Sequence, residues 1–337
     1  MFGDVALNAQ CISHLTQIHE LLGSLTYAGL GSAPNTNRSV YWSRTVSSTL
    51  RIEGSPLTRE QIDQIHAAPP RTEWERAAQN ALSAYQGIKS FNPWSERSFK
   101  KAHLAFMDGL IPRAGTYRNT AVALQQGDRI VHVAPPATAV PGLMCALFAS
   151  LKAAPLGPVV ASCVFHYELE FIHPFADGNG RLGRFWHTVL LRQIHPIFDH
   201  LSIEEVLDRE RDAYYRALAA ADRSGTSLPF VAFMLGILAQ TLRGFLNERP
   251  SPPQCSEDRI QYFVNYGPQS FARKDYLEFF PSISEPTASR DLKLGSDLGR
   301  WIRSGTKRTA TYTVPRPNER PFREAASAVR PTRRARR

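Results

Sequence analysis

Apolar positions along the first 250 residues follow mostly the spacing of amphipathic helices. In residues 74–88 they recur at intervals of three or four, which places them on one helical face. These positions are Trp74, Ala77, Ala78, Ala81, Leu82 and Tyr85. The same periodicity predicts helices over residues 99–110, 143–153, 159–172, 185–194, 202–221 and 229–246. We therefore expect a mainly α-helical fold.

Two local patterns add detail to this helical region. Thr58 followed three residues later by Gln61 predicts a capping box at the start of a helix. Residues 122–124 and 130–133 alternate around a turn at 125–128, and Pro135-Pro136 ends the pattern. We expect a single β-hairpin here, in an otherwise helical domain.

A change in composition divides the chain. Residues 247–255 contain three prolines and predict a linker. The next segment, 256–314, has short helical patterns over 259–265, 273–279 and 287–298, then strand-like alternation over 301–303 and 309–314. Three short helices and a hairpin predict a winged helix-turn-helix. The resulting domains are an N-terminal helical region 1–95, a core 96–246, the linker 247–255, the winged helix 256–314 and a disordered basic tail 315–337.

Composition narrows the class of protein. A chain of 337 residues with 43% hydrophobic and 21% charged residues is typical of a soluble protein of two domains. Its four cysteines lie far apart without CxxC spacing, which suits a reducing compartment and excludes the usual zinc and redox motifs. Residues 228–242 form the most apolar stretch, which is shorter than the roughly 20 residues of a membrane span. With no signal-peptide pattern at the N-terminus, we expect a cytoplasmic protein without a membrane partner.

The positive charge is concentrated in the C-terminal third. Of the formal net charge of +10, residues 255–337 supply most, with 17 Lys and Arg against 9 Asp and Glu. A polyanionic partner, such as DNA, would therefore meet this part of the chain.

The strongest chemical signal is the stretch HPFADGNGRLGR, which begins at His173. Its glycines let backbone N–H groups converge at a helix N-terminus, which attracts phosphate. The arginines suit phosphate oxygens, the carboxylate suits Mg²⁺ between two phosphates, and the histidine can act as a general base on a hydroxyl. The residues concerned are His173 as base, Asp177 as metal ligand, and Gly178, Asn179, Gly180, Arg181 and Arg184 as phosphate-binding residues.

Each part of this stretch is common alone, as a turn, a structural histidine or a solvated pair of arginines. Their combination within twelve residues is what indicates function. The chain has neither a P-loop nor an HExxH sequence. One alternative is a transition-metal site at His173 and Asp177, but no third ligand is evident nearby.

This stretch resembles the signature of the Fic (Fic/Doc) family, HPFx(D/E)GNGRxxR, at every defined position. The resemblance extends over about residues 41–246 and implies a bacterial protein adenylyltransferase that uses ATP and Mg²⁺. It assigns the base to His173 and Mg²⁺ to Asp177, and it makes Phe175 a buried anchor. The hairpin then resembles the family's flap, which docks a target peptide by strand addition. The docking residues would be Ile130, Val131 and His132.

A second resemblance concerns regulation. Residues 49–54, TLRIEG, match the family's inhibitory pattern (S/T)xxxE(G/N), with Thr49, Glu53 and Gly54 at the defined positions. The expected inhibition is a charge-assisted pair between Glu53 and Arg184 that occupies the arginine meant for the γ-phosphate.

Residues 280–314 resemble the winged helices attached to many Fic proteins. The residues that would face DNA are Arg290, Lys293, Lys307 and Arg308. A protein-docking module is the alternative, because residues 255–314 carry nine basic and seven acidic residues.

The expected function is auto-inhibited transfer of AMP from ATP to a Tyr, Ser or Thr hydroxyl of a target protein and of the chain itself, with pyrophosphate released. Removal of AMP and transfer of another phosphate-containing group are alternatives within the same class. The alternative from another class is a DNA-binding transcriptional regulator whose core only senses nucleotide. The target protein, the nucleotide base and the oligomeric state stay open, and a homodimer is one alternative.

Overall fold

The computed structural model describes residues 6–25, 38–65, 69–126, 129–153, 156–247, 255–280, 283–306 and 310–315. It divides into two compact units, Met1–Ser251 and Pro252–Arg337. The division falls within residues 247–255, where the sequence predicts a linker. Most of that segment, and the tail beyond Pro315, lie outside the described residues.

The described part of the first unit is built from helices, as the apolar spacing predicts. The α-helices are Ala9–Leu25 (α1), Arg38–Ile52 (α2), Arg59–Gln64 (α3), Glu73–Gln86 (α4), Glu96–Met107 (α5), Val140–Ala153 (α6), Pro158–Ile172 (α7), Asn179–Leu191 (α8), Ile203–Arg209 (α9), Arg211–Ser224 (α10) and Leu228–Asn247 (α11). Short 3₁₀ helices lie at Ile88–Ser90, Ala137–Ala139 and Pro196–Asp199.

Helix starts follow the capping residues in the sequence. Thr58 and Gln61 form the predicted capping box of α3: the Thr58 side chain accepts from the Gln61 N–H, and the Gln61 side chain accepts from the Thr58 N–H. At α4 and α5 only the first of these bonds is present: the Thr72 side chain accepts from the Glu75 N–H, and the Ser95 side chain accepts from the Ser98 N–H.

Helices α7 and α8 form the centre of the first unit, and most of their side chains are buried. Around them lies an aromatic cluster in which Phe99 contacts Phe165, Phe175 and Trp186 at ring-centroid distances of 5.1–6.1 Å. Phe175 is fully buried, which agrees with the anchoring position expected for it. The stretch that begins at His173 is thus fixed to the core.

Helix α11 contains the most apolar stretch of the chain. Within the described ranges it is long and apolar enough, by length and composition, to cross a membrane. Most of this helix is buried, however, and it packs against α1, α7 and α10. That arrangement is the one of a buried core helix.

Two helix boundaries differ from expectation. The single helix predicted over residues 202–221 is two, because Glu210 leaves helical geometry, with φ −100° and ψ 24°, between α9 and α10. No Pro or Gly marks this break, so the periodicity continues through it. The helix predicted from residue 185 begins at Asn179, inside the signature stretch.

The predicted β-hairpin is present. Strands Ala123–Gln126 (β1) and Arg129–Val133 (β2) pair antiparallel, with Leu124 opposite His132 and a register irregularity after Leu124. The turn residues 127–128 lie outside the described residues.

The second unit combines three helices with a small sheet. Its elements are Ser256–Tyr266 (α12), Ser270–Ala272 (β3), Arg273–Phe279 (α13), Glu285–Asp297 (α14), Ile302–Ser304 (β4) and Thr311–Thr313 (β5). The strands form an antiparallel sheet in the order β3-β5-β4. Strand β3 is missing from the sequence prediction because three residues are too few to show alternation. This element order is compatible with a winged helix-turn-helix, and that assignment stays a prediction.

Candidate functional site

The loop between α7 and α8, residues 173–178, has an unusual backbone at both ends. His173 has φ 47° and is the only non-glycine residue with positive φ within the described parts of the chain. Gly178 has φ 83° and precedes the first residue of α8. A left-handed backbone at a residue other than glycine costs of order 1–3 kcal/mol and persists only where neighbouring groups hold it. We call residues 173–178 the motif loop.

Asn179 closes the motif loop from the first position of α8. Its side-chain oxygen accepts from the Phe175 N–H at 3.0 Å, and its side-chain nitrogen donates to the Phe175 carbonyl at 2.9 Å. This buried amide therefore shapes the loop. What Asn179 offers to an anion is its position at a helix N-terminus, where backbone N–H groups favour negative charge.

Glycine at positions 178 and 180 is explained by close approaches. A Cβ atom on Gly178 would lie 2.5 Å from the Met107 sulfur. A Cβ atom on Gly180 would lie 2.8 Å from Glu53 Oε1 and 3.2 Å from Arg184 Nη1. The second glycine thus leaves room beside α8 for the carboxylate of Glu53, the residue that follows α2.

Arg184 is held by the end of α2. Its Nη2 donates to Glu53 Oε1 at 2.6 Å and to the Thr49 carbonyl at 3.1 Å, and its Nε donates to Thr49 Oγ1 at 2.8 Å. The Arg184 side chain is 1% exposed and that of Glu53 is 30% exposed. Burial opposes the charge on Arg184, but Glu53, Tyr214 and Glu170 together outweigh it, and the pKa of Arg184 is raised. The structure therefore brings Arg184 into contact with Thr49 and Glu53, which lie 135 and 131 residues before it in the sequence.

Arg181 points to a different partner. Its Nη2 lies 3.1 Å from Asp177 Oδ2, while Asp177 Oδ1 accepts from the Gly178 N–H at 2.6 Å. The Asp177 side chain is 61% exposed, whereas that of Arg181 is 9% exposed. Arg181 and Arg184 thus contact separate carboxylates.

A cavity of about 450 Å³ lies beside the motif loop. We call it the central cavity. It is lined by Glu53, His132, Tyr167, Glu170, Phe171, His173, Gly180, Arg184, Arg211, Tyr214, Tyr215, Leu218, Ala219 and Asp222. Five of the site residues predicted from sequence are in this lining. Asp177, Gly178, Asn179 and Arg181 are not in it.

His173 faces the central cavity as a neutral base. Its Nδ1 is buried and has no hydrogen-bond partner among the described residues. Burial lowers the pKa of His173 to about 4, and the charges of His132 and Arg118 act in the same direction. At neutral pH the imidazole is therefore unprotonated and able to accept a proton.

The hairpin reaches the cavity through His132. Its Nδ1 lies 2.8 Å from Asp222 Oδ2 on α10, and its Nε2 lies 2.8 Å from the Phe171 carbonyl. Asp222 also accepts from the Tyr167 hydroxyl at 2.9 Å. Since both His132 contacts are acceptors, only the imidazolium donates to both at once. The side chains of Ile130 and Val131 lie outside the described residues.

Sequence reasoning missed several cavity residues. The Glu170 side chain is only 11% exposed, and its partial burial raises its pKa to about 7. A carboxylate three residues before His173, on a mostly apolar helix, was a usable signal for it. Tyr214, Tyr215 and Asp222 lie on α10, and nothing in their spacing distinguishes them from ordinary helix positions.

The candidate DNA contacts are only partly described. Arg290 and Lys293 are exposed on α14, where Arg290 donates to the Pro286 carbonyl at 3.4 Å. Lys307 and Arg308 lie outside the described residues.

The first unit is mainly helical, and its Gly-rich loop leads into the N-terminus of α8 beside a polar cavity. These features define the class of protein with which the chain is compared. A family model described as Fic/DOC family matches residues 93–191. The crystal structure of a Fic family protein from Desulfovibrio desulfuricans G20 has a TM-score of 0.69 and 30% sequence identity, covering 92% of this chain and 97% of that one. The chain therefore belongs to the Fic/DOC family, and its first unit is a mainly helical Fic core.

Two further comparisons have a lower sequence identity or cover less of the chain. Fic-1 from C. elegans has a TM-score of 0.57 at 18% identity, covering 71% of this chain and 72% of that chain, which shows the fold alone. The protein adenylyltransferase Fic of Drosophila melanogaster is 33% identical over 138 residues. That match covers 38% of this chain and 27% of the relative, so the chain spans about a quarter of the curated relatives it matches.

Proposed function

We propose that this protein transfers AMP from ATP to a hydroxyl group of a protein side chain. The observation that carries the proposal is the neutral His173 beside Gly180 and Arg184 on one cavity. A base next to an anion-binding helix end suits attack of a hydroxyl on a phosphate. Relatives named protein adenylyltransferase support this reaction.

The reaction assigns a step to each group. His173 takes the proton of the target hydroxyl, whose oxygen forms a bond to the α-phosphorus of ATP. The bond from that phosphorus to the bridging oxygen breaks, and pyrophosphate leaves. Arg184 and the N–H groups at the start of α8 stabilise negative charge on the phosphates, which is the main catalytic contribution in phosphoryl chemistry.

Asp177 is the residue that would hold Mg²⁺. Its carboxylate is 61% exposed at the start of α8, and Mg²⁺ at phosphate sites needs only one or two carboxylates besides water and phosphate oxygens. No group of three or more His, Cys, Asp and Glu able to hold a metal ion is found within the described residues. The donor set therefore fits a Mg²⁺ shared with ATP, which would neutralise phosphate charge.

The same geometry supports auto-inhibition. Glu53 occupies Arg184 at 2.6 Å with a charge-assisted hydrogen bond. A γ-phosphate that needs this guanidinium must displace the carboxylate. The wild-type protein is then slow, and loss of Glu53 activates it.

Intact-protein mass spectrometry tests the proposed activity. Glu53→Gly protein incubated with ATP and Mg²⁺ is expected to gain the mass of one or more AMP groups, and Glu53→Gly/His173→Ala protein is expected to gain none. An unchanged mass of the single variant, with candidate target proteins also unmodified, would refute AMP transfer.

A second proposal concerns the C-terminal unit. Arg290 and Lys293 are exposed on α14, in the basic third of the chain, and DNA is the partner that suits them. A gel shift with mixed DNA is expected to weaken steeply with salt. No shift at low salt would favour a protein partner.

A further inference from the structure

Arg118 is a buried arginine that contacts only backbone among its hydrogen-bond partners. Its Nε donates to the His173 carbonyl at 2.7 Å, and its Nη1 donates to the Thr120 carbonyl at 2.7 Å. Its Nη2 donates to the carbonyls of Pro135 at 2.5 Å and Ile172 at 3.3 Å. The residue is 5% exposed.

These carbonyls belong to two parts of the site. Thr120 precedes β1 and Pro135 follows β2, so Arg118 fixes both ends of the hairpin. Ile172 and His173 form the end of α7 and the start of the motif loop. The Arg118 N–H also donates to the Pro174 carbonyl at 2.9 Å. One planar guanidinium therefore joins the base of the hairpin to the peptide of the catalytic histidine.

Stability alone does not account for this arrangement. Arg118 makes no ion pair within the described residues, and a buried charge without a carboxylate is costly. The Arg118 guanidinium instead contacts a strained backbone, since His173 has φ 47°. The hydrogen bond to the His173 carbonyl and the one to Pro174 fix the peptide on the C-terminal side of that residue.

We propose that Arg118 is the positioning residue that sets the orientation of His173 and the height of the hairpin above the central cavity. The proposal rests on the proposed function, because the target hydroxyl would lie between these two groups. Arg184 and Gly180, which would bind the phosphates, have no contact with Arg118 among the hydrogen bonds described above. Loss of Arg118 should therefore impair transfer far more than ATP binding.

Two substitutions separate the geometry of Arg118 from its charge. Arg118→Lys keeps the charge, but an ammonium lacks the planar fork that serves several carbonyls at once. Arg118→Gln removes the charge as well. Arg113→Gln is the matched control, because Arg113 is exposed on the same segment. All are made in the Glu53→Gly protein and compared at a temperature where circular dichroism shows them folded.

We expect the Arg118 substitutions to lower the rate of AMP transfer and to leave the affinity for ATP nearly unchanged. At saturating ATP, Arg118→Lys and Arg118→Gln should transfer AMP about 10²-fold more slowly, the effect typical of a misplacement near 1 Å. Their Kd for ATP, measured by calorimetry, should stay within about threefold of the parent, since the phosphate contacts persist. Arg113→Gln should match the parent in both. Equal rates for parent and Arg118→Lys, or a loss explained by weaker ATP binding, would overturn the inference.

A second measurement tests the effect of Arg118 on the pKa of His173 and needs no catalytic turnover. The groups that act on the charge of His173 are Arg118, His132 on β2, Asp177 in the motif loop and the Glu170 backbone. In an NMR titration of ¹³C-labelled histidine, the pKa of His173 should rise in Arg118→Gln and change less in Arg118→Lys. A His173 resonance that titrates identically in all three proteins contradicts the inference. Transfer absent from the Glu53→Gly parent, with the titration as expected, would count against the proposed function and leave Arg118 as the positioning residue of His173.

Discussion

Replacing Glu53 with glycine is expected to lower the stability of the protein while raising its rate of AMP transfer. Glu53 lies just beyond the end of α2 and is followed by Gly54, so the change removes the carboxylate without interrupting a helix. Arg184 keeps its two contacts to Thr49 but loses the Glu53 contact at 2.6 Å. Opposite effects on two measured quantities make this perturbation informative.

The expected size follows from that contact. A hydrogen bond between charged groups contributes about 1.5–3 kcal/mol. If a γ-phosphate competes with Glu53 for Arg184, removal of the carboxylate should raise the transfer rate by about 10-fold to 150-fold, at 1.36 kcal/mol for each factor of ten. The free energy of unfolding should fall by a similar amount. For a domain of this size the melting temperature then falls by about 2–4 °C per kcal/mol.

The assay measures initial rates of self-modification at saturating ATP, and melting temperatures with and without ATP. Addition of ATP should raise the melting temperature of Glu53→Gly more than that of wild type, because the phosphates replace the lost partner of Arg184. Asp208→Asn is the matched control. It breaks the pair of Arg51 on α2 with Asp208, at 2.7 Å, and leaves Arg184 untouched.

We expect the control to transfer AMP within about twofold of wild type, since exposed pairs contribute little. A Glu53→Gly protein that melts lower but reacts at the wild-type rate would refute the reasoning. The pair would then be structural only.

Three further predictions concern the motif loop and the core. Gly178→Ala should lower the free energy of unfolding by about 2–4 kcal/mol, because φ is 83° and the new Cβ would lie 2.5 Å from the Met107 sulfur; Gly225→Ala, at φ 65° with open space, should lose less, and equal losses would contradict the packing argument. Burial lowers the pKa of His187 from 6.5 to about 3, so stability should fall as pH drops from 6.5 toward 3, by up to about 1.4 kcal/mol per pH unit; urea midpoints that do not change over this range would contradict it. Asp177→Asn should leave the melting temperature nearly unchanged, since the side chain is 61% exposed, yet slow transfer by about 10²; a rate unchanged at every Mg²⁺ concentration would remove Asp177 as the metal ligand.

The sequence predicts most of the helical fold because amphipathic spacing and capping residues are local signals. The break at Glu210 and the three-residue strand β3 escape it, since neither carries a Gly, a Pro or a visible alternation. The stretch of residues 173–184 is predictable for the same reason as the helices: its chemistry lies within twelve consecutive residues.

Other features of the site depend on long-range contacts. The pairing of Glu53 with Arg184 spans 131 residues and was expected only through family resemblance. The role of Arg118 cannot be predicted from the sequence, because its hydrogen-bond acceptors are backbone carbonyls, which every residue type has. Asn179 shows that prediction is incomplete even within the motif. Its side chain hydrogen-bonds to the backbone of Phe175 and so stabilises the loop, a role that the sequence analysis did not assign to it.

The most direct test of AMP transfer compares ATP labelled at the α-phosphate with ATP labelled at the γ-phosphate. Wild-type, Glu53→Gly and Glu53→Gly/His173→Ala proteins are incubated with each in the presence of Mg²⁺, and label on the protein is measured after denaturing gel electrophoresis. We expect label on Glu53→Gly from the α-position only, and little on the other two proteins. Label from the γ-position, or α-label that persists without His173, would contradict it.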